Sequence, residues 1–394
     1  MALNTVSSDR LSTNVKNTNF TAAEKQDLTD DILPLAGQLG NRNLIINGAM
    51  QVAQRGTSST SSGFYTVDRF QVNFTGTNEA PTQAQVALSS SDTPYSSGFR
   101  FAYKVTNGNQ TSGGGAGRFI RYKTTIEAQD IAQSGWNYTS SSSNVTLSFW
   151  VKASVAQTYF GRLQTYDGTA QNYPFSFALS ANTWTKVTKT IPGNSNLQFD
   201  NNNAEGLLLE IVPYYGTDYT NGSMSVDAWA AYSDRTPNNT ATWYETDDAT
   251  FEITGVQLEV GSVVTDFEHL SFGDTLAKCQ RYYYAAFPLN SQTTALCVNG
   301  PYTTTQSFGV IQFPTTMRAV PSGDITVSTN YVTLYTPEAT GGRGCSSVQV
   351  QELTTNSSRI YFTTYASPFS SATGGSGYVM VANNSFKLAF EAEL

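Results

Sequence analysis

The sequence predicts an all-β protein: a jelly-roll-like β-sandwich followed by a smaller C-terminal β domain, with a short, partly helical arm in front. Three observations carry this expectation. Charged residues make up only 13% of the 394 residues, against roughly 25% in an ordinary soluble domain, so Ser, Thr and Asn must carry solubility. Aromatics reach 12%, with 22 Tyr, 22 Phe and 5 Trp, and ring-bearing and β-branched side chains suit the pleated, half-buried surface of a sheet. Segments of two-residue periodicity recur between turns rich in Gly, Asn and Pro, with no helical period separating them. The length calls for two or three units.

Residues 1–40 differ from the rest. Thr21-Ala22-Ala23-Glu24 is a capping box, in which the Thr21 hydroxyl and the Glu24 carboxylate satisfy each other's backbone N–H groups. Leu28 and Ile32 then lie one turn apart on a short helix that Pro34 ends. One turn of apolar surface does not hold a helix in water. The segment is read either as an attachment arm that orders on a partner or on sister chains, with Thr21, Glu24, Leu28 and Ile32 as its contact residues, or as a frayed tail.

Residues 41–272 read as the sandwich. In Asn144–Lys152, Val145, Leu147, Phe149 and Val151 face one way, and Thr146, Ser148, Trp150 and Lys152 the other. Thr183–Ile191, Phe64–Phe70, Arg100–Val105 and Phe175–Leu179 add strands. Gly206–Val212, apolar on both faces, is placed centrally. Asn107-Gly108, Asp167-Gly168, Pro192-Gly193-Asn194 and Asn221-Gly222 supply turns. Such spacing favours a jelly roll over a helical bundle or a parallel sheet.

Residues 273–394 read as the second β domain. Asp274 is expected to cap a helix over 275–281, and strands follow at Leu296–Gly300, Ser307–Phe313, Ile325–Ser328, Ser347–Leu353, Arg359–Tyr365 and Tyr378–Ala382. The alternation of Phe386, Leu388 and Phe390 with Lys387, Ala389 and Glu391 makes the last segment a paired strand.

Several function classes are disfavoured. A net charge of −8 with no Lys/Arg cluster does not suit a protein that grips nucleic-acid phosphates. No run of 18 apolar residues suggests membrane insertion, and no secretory signal is readable. Cys279, Cys297 and Cys345 are too widely spaced for a disulfide framework or a zinc pattern and are expected to be reduced thiols. His269 is the sole histidine, without a Gly-x-Ser-x-Gly elbow to partner it, and reads as a packed or turn residue. Gly113-Gly114-Gly115 lacks a phosphate-loop signature. No cofactor is expected.

Asn43-Leu44-Ile45-Ile46-Asn47-Gly48-Ala49-Met50-Gln51, with Gln54-Arg55-Gly56 and Val67-Asp68-Arg69-Phe70, resembles the opening of a large family of bacteriophage fibre proteins. The resemblance continues through Ile253–Gly261, Asp266–His269, Gly273–Tyr283 and the terminal Phe390-Glu391-Ala392-Glu393-Leu394. It implies a virion appendage (tail, neck or head fibre), usually trimeric, whose sandwich is similar to carbohydrate-binding modules. Its implied partners are other virion proteins through residues 1–40 and a host cell-surface glycan or protein. It implies assembly into virions from protein made in the host cytoplasm, and adhesion with no reaction of its own.

Local physics is consistent with this. Val256, Leu258 and Val260 alternate with Gln257 and Glu259 in a closing strand, Gly255 marks a bulge, and Asn47-Gly48, expected in the first strand, can neighbour that closing strand. The resemblance to carbohydrate-binding sandwiches implies a structural calcium near this position, with Glu259 and Asp68 as the candidate ligands, but oxygen ligands without spacing leave the metal open. Arg55, Asp68 and Arg69 are expected to form a buried or half-buried ion pair. Sugar recognition needs flat aromatic faces beside polar groups, which nominates Trp150, Trp229, Trp243, Tyr214, Tyr215 and Tyr219 as ligand-binding residues. Tyr302, Tyr331, Tyr335, Tyr365 and Phe369 are further receptor-contact candidates in the last domain. The competing expectation is a glycan-degrading appendage, with paired carboxylates drawn from Glu245, Asp247 and Asp248, or Asp218 and Asp227. A third is a protein that only stiffens the capsid or neck.

Overall fold

In the computed structural model, the described residues are 41–287, 295–328, 331–335, 342–364, 377–381 and 385–394. The arm residues Thr21, Glu24, Leu28 and Ile32 lie outside them, as do Tyr365 and Phe369.

Twelve strands build the sandwich: β1 (Ser58–Ser59), β2 (Gln71–Thr75), β3 (Thr82–Ala87), β4 (Phe101–Thr106), β5 (Phe119–Glu127) and β6 (Asn144–Ala153) come first. Then follow β7 (Gln157–Thr165), β8 (Gln171–Leu179), β9 (Thr185–Pro192), β10 (Glu205–Tyr215), β11 (Ala230–Ala231) and β12 (Thr250–Val260). One sheet has the order β1-β3-β4-β12-β6-β9 and the other β11-β8-β7-β10-β5-β2, each pairing antiparallel. The inward side chains of β6, Val145 to Val151, are fully buried against Tyr159, Leu163, Phe175 and Ile211 of the facing sheet. The alternation read in Asn144–Lys152 thus sets which face of β6 is core. β10 lies between β7 and β5, and its double-sided apolarity follows from cover on both faces.

Two local expectations need correction. Phe64–Phe70 is not a strand; pairing starts at Gln71. Arg69 takes a left-handed φ of 70°, and the Phe70 N–H donates to the Val67 carbonyl, so the chain turns there. The helix near 275 spans Phe272–Gln280, and its cap is Ser271, whose Oγ accepts from the Asp274 N–H at 3.1 Å. Asp274 instead accepts from the Ser271 hydroxyl, giving a reciprocal cap.

After that helix come β13 (Tyr283–Phe287), β14 (Ala295–Pro301), β15 (Gln306–Gln312), β16 (Ser322–Thr326), β17 (Val332–Tyr335), β18 (Arg343–Gln351), β19 (Ser357–Thr364), β20 (Gly377–Val381) and β21 (Lys387–Glu391). β13-β21-β16 form a small sheet, and β14-β15-β19-β18-β17-β20 close a barrel around Ile360, Phe362, Leu334 and Val379. All three cysteines are free; Cys279 and Cys345 are buried and Cys297 is partly so.

The two parts meet at a buried ionic seam built from the quoted motifs. Arg55 sits 3.8 Å from Asp68, 3.5 Å from Glu391 and 3.2 Å from Glu393, with its guanidinium 3.6 Å from the Tyr283 ring centroid. Arg69 pairs with Glu393 and stacks over Tyr282. The expected Arg55–Asp68 pair is therefore present, and it reaches into the C-terminal strand.

Candidate functional site

The outer face of the first sheet holds an open cavity of about 330 Å³. Trp150 comes to it from β6, because the same alternation that buries Phe149 and Val151 turns position 150 outward. Lys186, directly across on β9, is its cross-strand partner. Gly255 lies beside them at the bulge, where β12 shifts register between Thr254 and Gln257 with φ of 63°. The bulge has room for the Phe99 ring, which a Cβ on Gly255 would meet at 2.6 Å.

The far wall is Asp266–His269. Phe99 packs edge-on to Phe267 at 4.8 Å, and His269 lies 5.1 Å from Phe99 and 4.9 Å from Phe267. The His269 Nε2 meets the Ser97 carbonyl at 2.9 Å, so the packed, turn-like reading describes its surroundings, though its ring is exposed. Motif residues hold this wall in place. Glu259 accepts from the Thr265 N–H at 2.9 Å and from its hydroxyl at 2.6 Å. Gln257 accepts from the Glu268 N–H, and Glu268 accepts from the Asn43 N–H, both at 2.8 Å. The Leu44 and Val256 N–H groups donate to Leu258 and Gly48 carbonyls, so the 44–48 segment does lie beside the closing strand, though Asn47-Gly48 forms a turn and not the expected first strand.

The other nominated aromatics stand elsewhere. Trp243 is 0% exposed, with its indole N–H donating to the Thr250 carbonyl at 3.0 Å. Tyr214 packs on Tyr244 at 4.5 Å between ring centres and is also buried. Tyr215 is 1% exposed, its hydroxyl donating to Glu210 at 2.5 Å. These three have no face to offer a ligand, and the expectation is corrected for them. Each neighbours polar loop sequence, but Trp243 and Tyr214 belong to the sandwich core and Tyr215 to a buried polar network. Trp229 is half-buried against Tyr173, with its indole N–H on the Pro192 carbonyl at 2.7 Å. Tyr219 is half-buried under the Arg235 guanidinium, 4.7 Å from its ring centre.

Tyr215 belongs to a polar network on the outer face of the second sheet. Arg162 Nε and Arg121 Nη1 each donate to Glu210 at 2.6 Å. Burial penalises the Glu210 carboxylate, but the Arg162 and Arg121 charges prevail and hold it at about 2. Residues 216–236 cover this face: Asn172 Nδ2 donates to the Asp234 and Arg235 carbonyls, and β11 pairs with the β8 edge. The second sheet is thus closed where the first is open.

Among the described residues no group of three or more His, Cys, Asp or Glu side chains could hold a metal. Asp68 accepts from Gln54 and faces Arg55, and Glu259 is spent on Thr265 and Gln257. Of the carboxylates weighed for glycan cleavage, Glu245 accepts from the Gly114 N–H, Asp227 pairs with Lys189 at 3.0 Å, and all five are exposed.

Lys186, Asp266, Phe267 and His269 were not legible as site residues. Strand register places Lys186 beside Trp150, and hydrogen bonds with Glu259, Gln257, Asn43 and Arg42 hold the Asp266–His269 segment over them.

No protein-family model matches the sequence, and no curated protein matches it. Among solved structures, the enzymatically active domain of tailspike protein 4 from bacteriophage CBA120 is similar over 56% of this chain, at 11% identity and a TM-score of 0.30. This chain spans only 22% of that one. A family 16 carbohydrate-binding module is similar over 55% of this chain and 99% of its own, at 10% identity and a TM-score of 0.27. The N-terminal cellulose-binding domain of β-1,4-glucanase C from Cellulomonas fimi covers 54% and 99%, at 12% identity and a TM-score of 0.27.

Proposed function

We propose that this chain is an adhesive subunit of a bacteriophage appendage, which binds a host-surface glycan through its sandwich and does not cleave it. The observation that carries the reading is the open cavity beside Trp150, an aromatic side chain set among polar groups on a sheet face otherwise braced by motif residues. An indole face suits the apolar C–H side of a sugar ring. Weak contacts of this kind become firm when several copies act together.

Self-association, as a homotrimer, is the second part of the proposal. Val298, Val310 and Tyr378 on the barrel wall are 69%, 47% and 46% exposed, on β14, β15 and β20 respectively, with β14 between the other two. Apolar side chains clustered on an outer wall favour a protein partner, and copies of the same chain supply one in a virion fibre. Residues 1–40 would join the subunit to the particle.

The test is adsorption of virions carrying Trp150→Ala. Particle assembly should be unaffected while host adsorption falls. Normal adsorption by the variant, or release of new reducing ends from host polysaccharide by the wild-type protein, would overturn the reading.

A further inference from the structure

The charges around the Trp150 cavity allow its ligand class to be narrowed, on the reading that this cavity is where glycan binds. Lys186 and Asp266 both line it, yet they make no ion pair with each other. Among the described residues Lys186 has no carboxylate partner and the Asp266 carboxylate has no side-chain donor; only its backbone carbonyl is used, by Arg42 Nη2 at 2.9 Å and by Gln257 and Thr265. The contrast is Lys152, two residues along β6, which is neutralised by Asp92 at 3.5 Å and Glu252 at 3.3 Å and lies over Trp184. One free ammonium and one free carboxylate thus share the cavity beside an indole.

The geometry points to an uncharged pyranose residue as the ligand, its apolar face on Trp150 and its hydroxyls bonded by Lys186 and Asp266. A polyol is the ligand that satisfies both groups, since each hydroxyl can accept from an ammonium and donate to a carboxylate. A sugar carboxylate would gain Lys186 but stand near Asp266, and an amino sugar would meet the reverse conflict; like charges brought together reject such ligands. His269 adds to this: with Nε2–H on the Ser97 carbonyl, as the contact assigns it in the neutral form, Nδ1 remains an acceptor for a further hydroxyl. The cavity's volume suits one or two rings.

The test is a glycan array of neutral, carboxylated and amino-bearing oligosaccharides, probed with the full chain and with Trp150→Ala, Lys186→Met and Asp266→Asn. Lys186 and Asp266 are exposed, so their variants should keep the parent unfolding midpoint. The strongest ligands should be neutral. Lys186→Met and Asp266→Asn should each weaken them about ten-fold, the size of one charge-assisted hydrogen bond, and Trp150→Ala should abolish them. Carboxylated glycans that lead the array, weaken with Lys186→Met and strengthen with Asp266→Asn would overturn the ligand class while leaving the Trp150 site standing. Binding indifferent to Trp150→Ala, or no binding at all, would remove the site and the inference together.

Discussion

Arg281 grips Glu127 with a two-pronged contact, Nε to Oε1 and Nη2 to Oε2, both at 2.7 Å. The Glu127 side chain is 0% exposed and also accepts from the Tyr282 hydroxyl and from Gln129. The pair ties the sequence block ending in Tyr282-Tyr283 to the end of β5, so residues 154 positions apart in the chain serve one joint. Burial disfavours the Glu127 carboxylate, but hydrogen bonds from Arg281 and Tyr282 and the Arg281 charge hold it below its ordinary value.

Removing the cation leaves a buried carboxylate short of its strongest partner. Arg281→Ala should destabilise the chain by about 3 kcal/mol, and Arg281→Lys should recover only part of this because an ammonium cannot fork. Urea unfolding followed by tryptophan fluorescence measures both; an unchanged midpoint would refute the role given to the pair.

The seam also sets a pH dependence. Burial pushes the Asp68 carboxyl up to about 6, against Arg55 and the Gln54 hydrogen bonds, whereas in the unfolded chain it titrates near about 4. Between those values the folded chain holds more protons, so stability falls as pH rises from about 4 to about 6. Glu391 is raised in the same direction, first by burial. Glu210 and Asp92 act oppositely: both are held at about 2, so their contribution is present above about 4.5 and is lost as pH falls below it. Thermal midpoints should therefore peak at about pH 4.5 and decline towards neutrality. A midpoint that climbs steadily from pH 5 to 8 would count against the buried Asp68.

Trp243 separates core from site. It fills the sandwich interior beside Phe251, with ring centres 6.3 Å apart, and Trp243→Ala should cost about 3–5 kcal/mol. Trp243→Phe should be milder and leave glycan binding intact. Loss of binding in a folded Trp243→Phe protein would restore the role the sequence suggested for it.

At Gly255 the left-handed φ and the Phe99 ring act together. Gly255→Ala should destabilise by about 1–3 kcal/mol and, by displacing Phe99, weaken ligand binding as well. Equal binding and stability in the variant would show that the bulge is not what shapes the cavity.

Much of this architecture could be read from the chain because side-chain alternation is a local signal. Val145 to Val151 told which face of β6 is core, double-sided apolarity placed β10 inside its sheet, and Gly255 declared its bulge. What failed was long-range. Phe64–Phe70 has strand composition, yet Arg69 turns the chain to reach Glu393, a partner 324 residues away. Tyr215 is buried beneath the 216–236 segment, which folds back over the second sheet, and Trp243 and Tyr214 are buried because they face the sandwich core; no local pattern records either. Trp150 was legible from its polar face alone, whereas Lys186 joins it through strand register and Asp266 through the long-range hydrogen bonds of its segment with Arg42 and Asn43.

The most direct test of the account uses the five indole N–H signals of the isotope-labelled protein in solution, titrated with oligosaccharides from host-surface polysaccharide. The Trp150 signal should move saturably while Trp136, Trp184, Trp229 and Trp243 stay in place. Movement centred on Trp229, or no movement at any indole while the glycan binds, would contradict the claim that the first sheet's open face is the adhesive one.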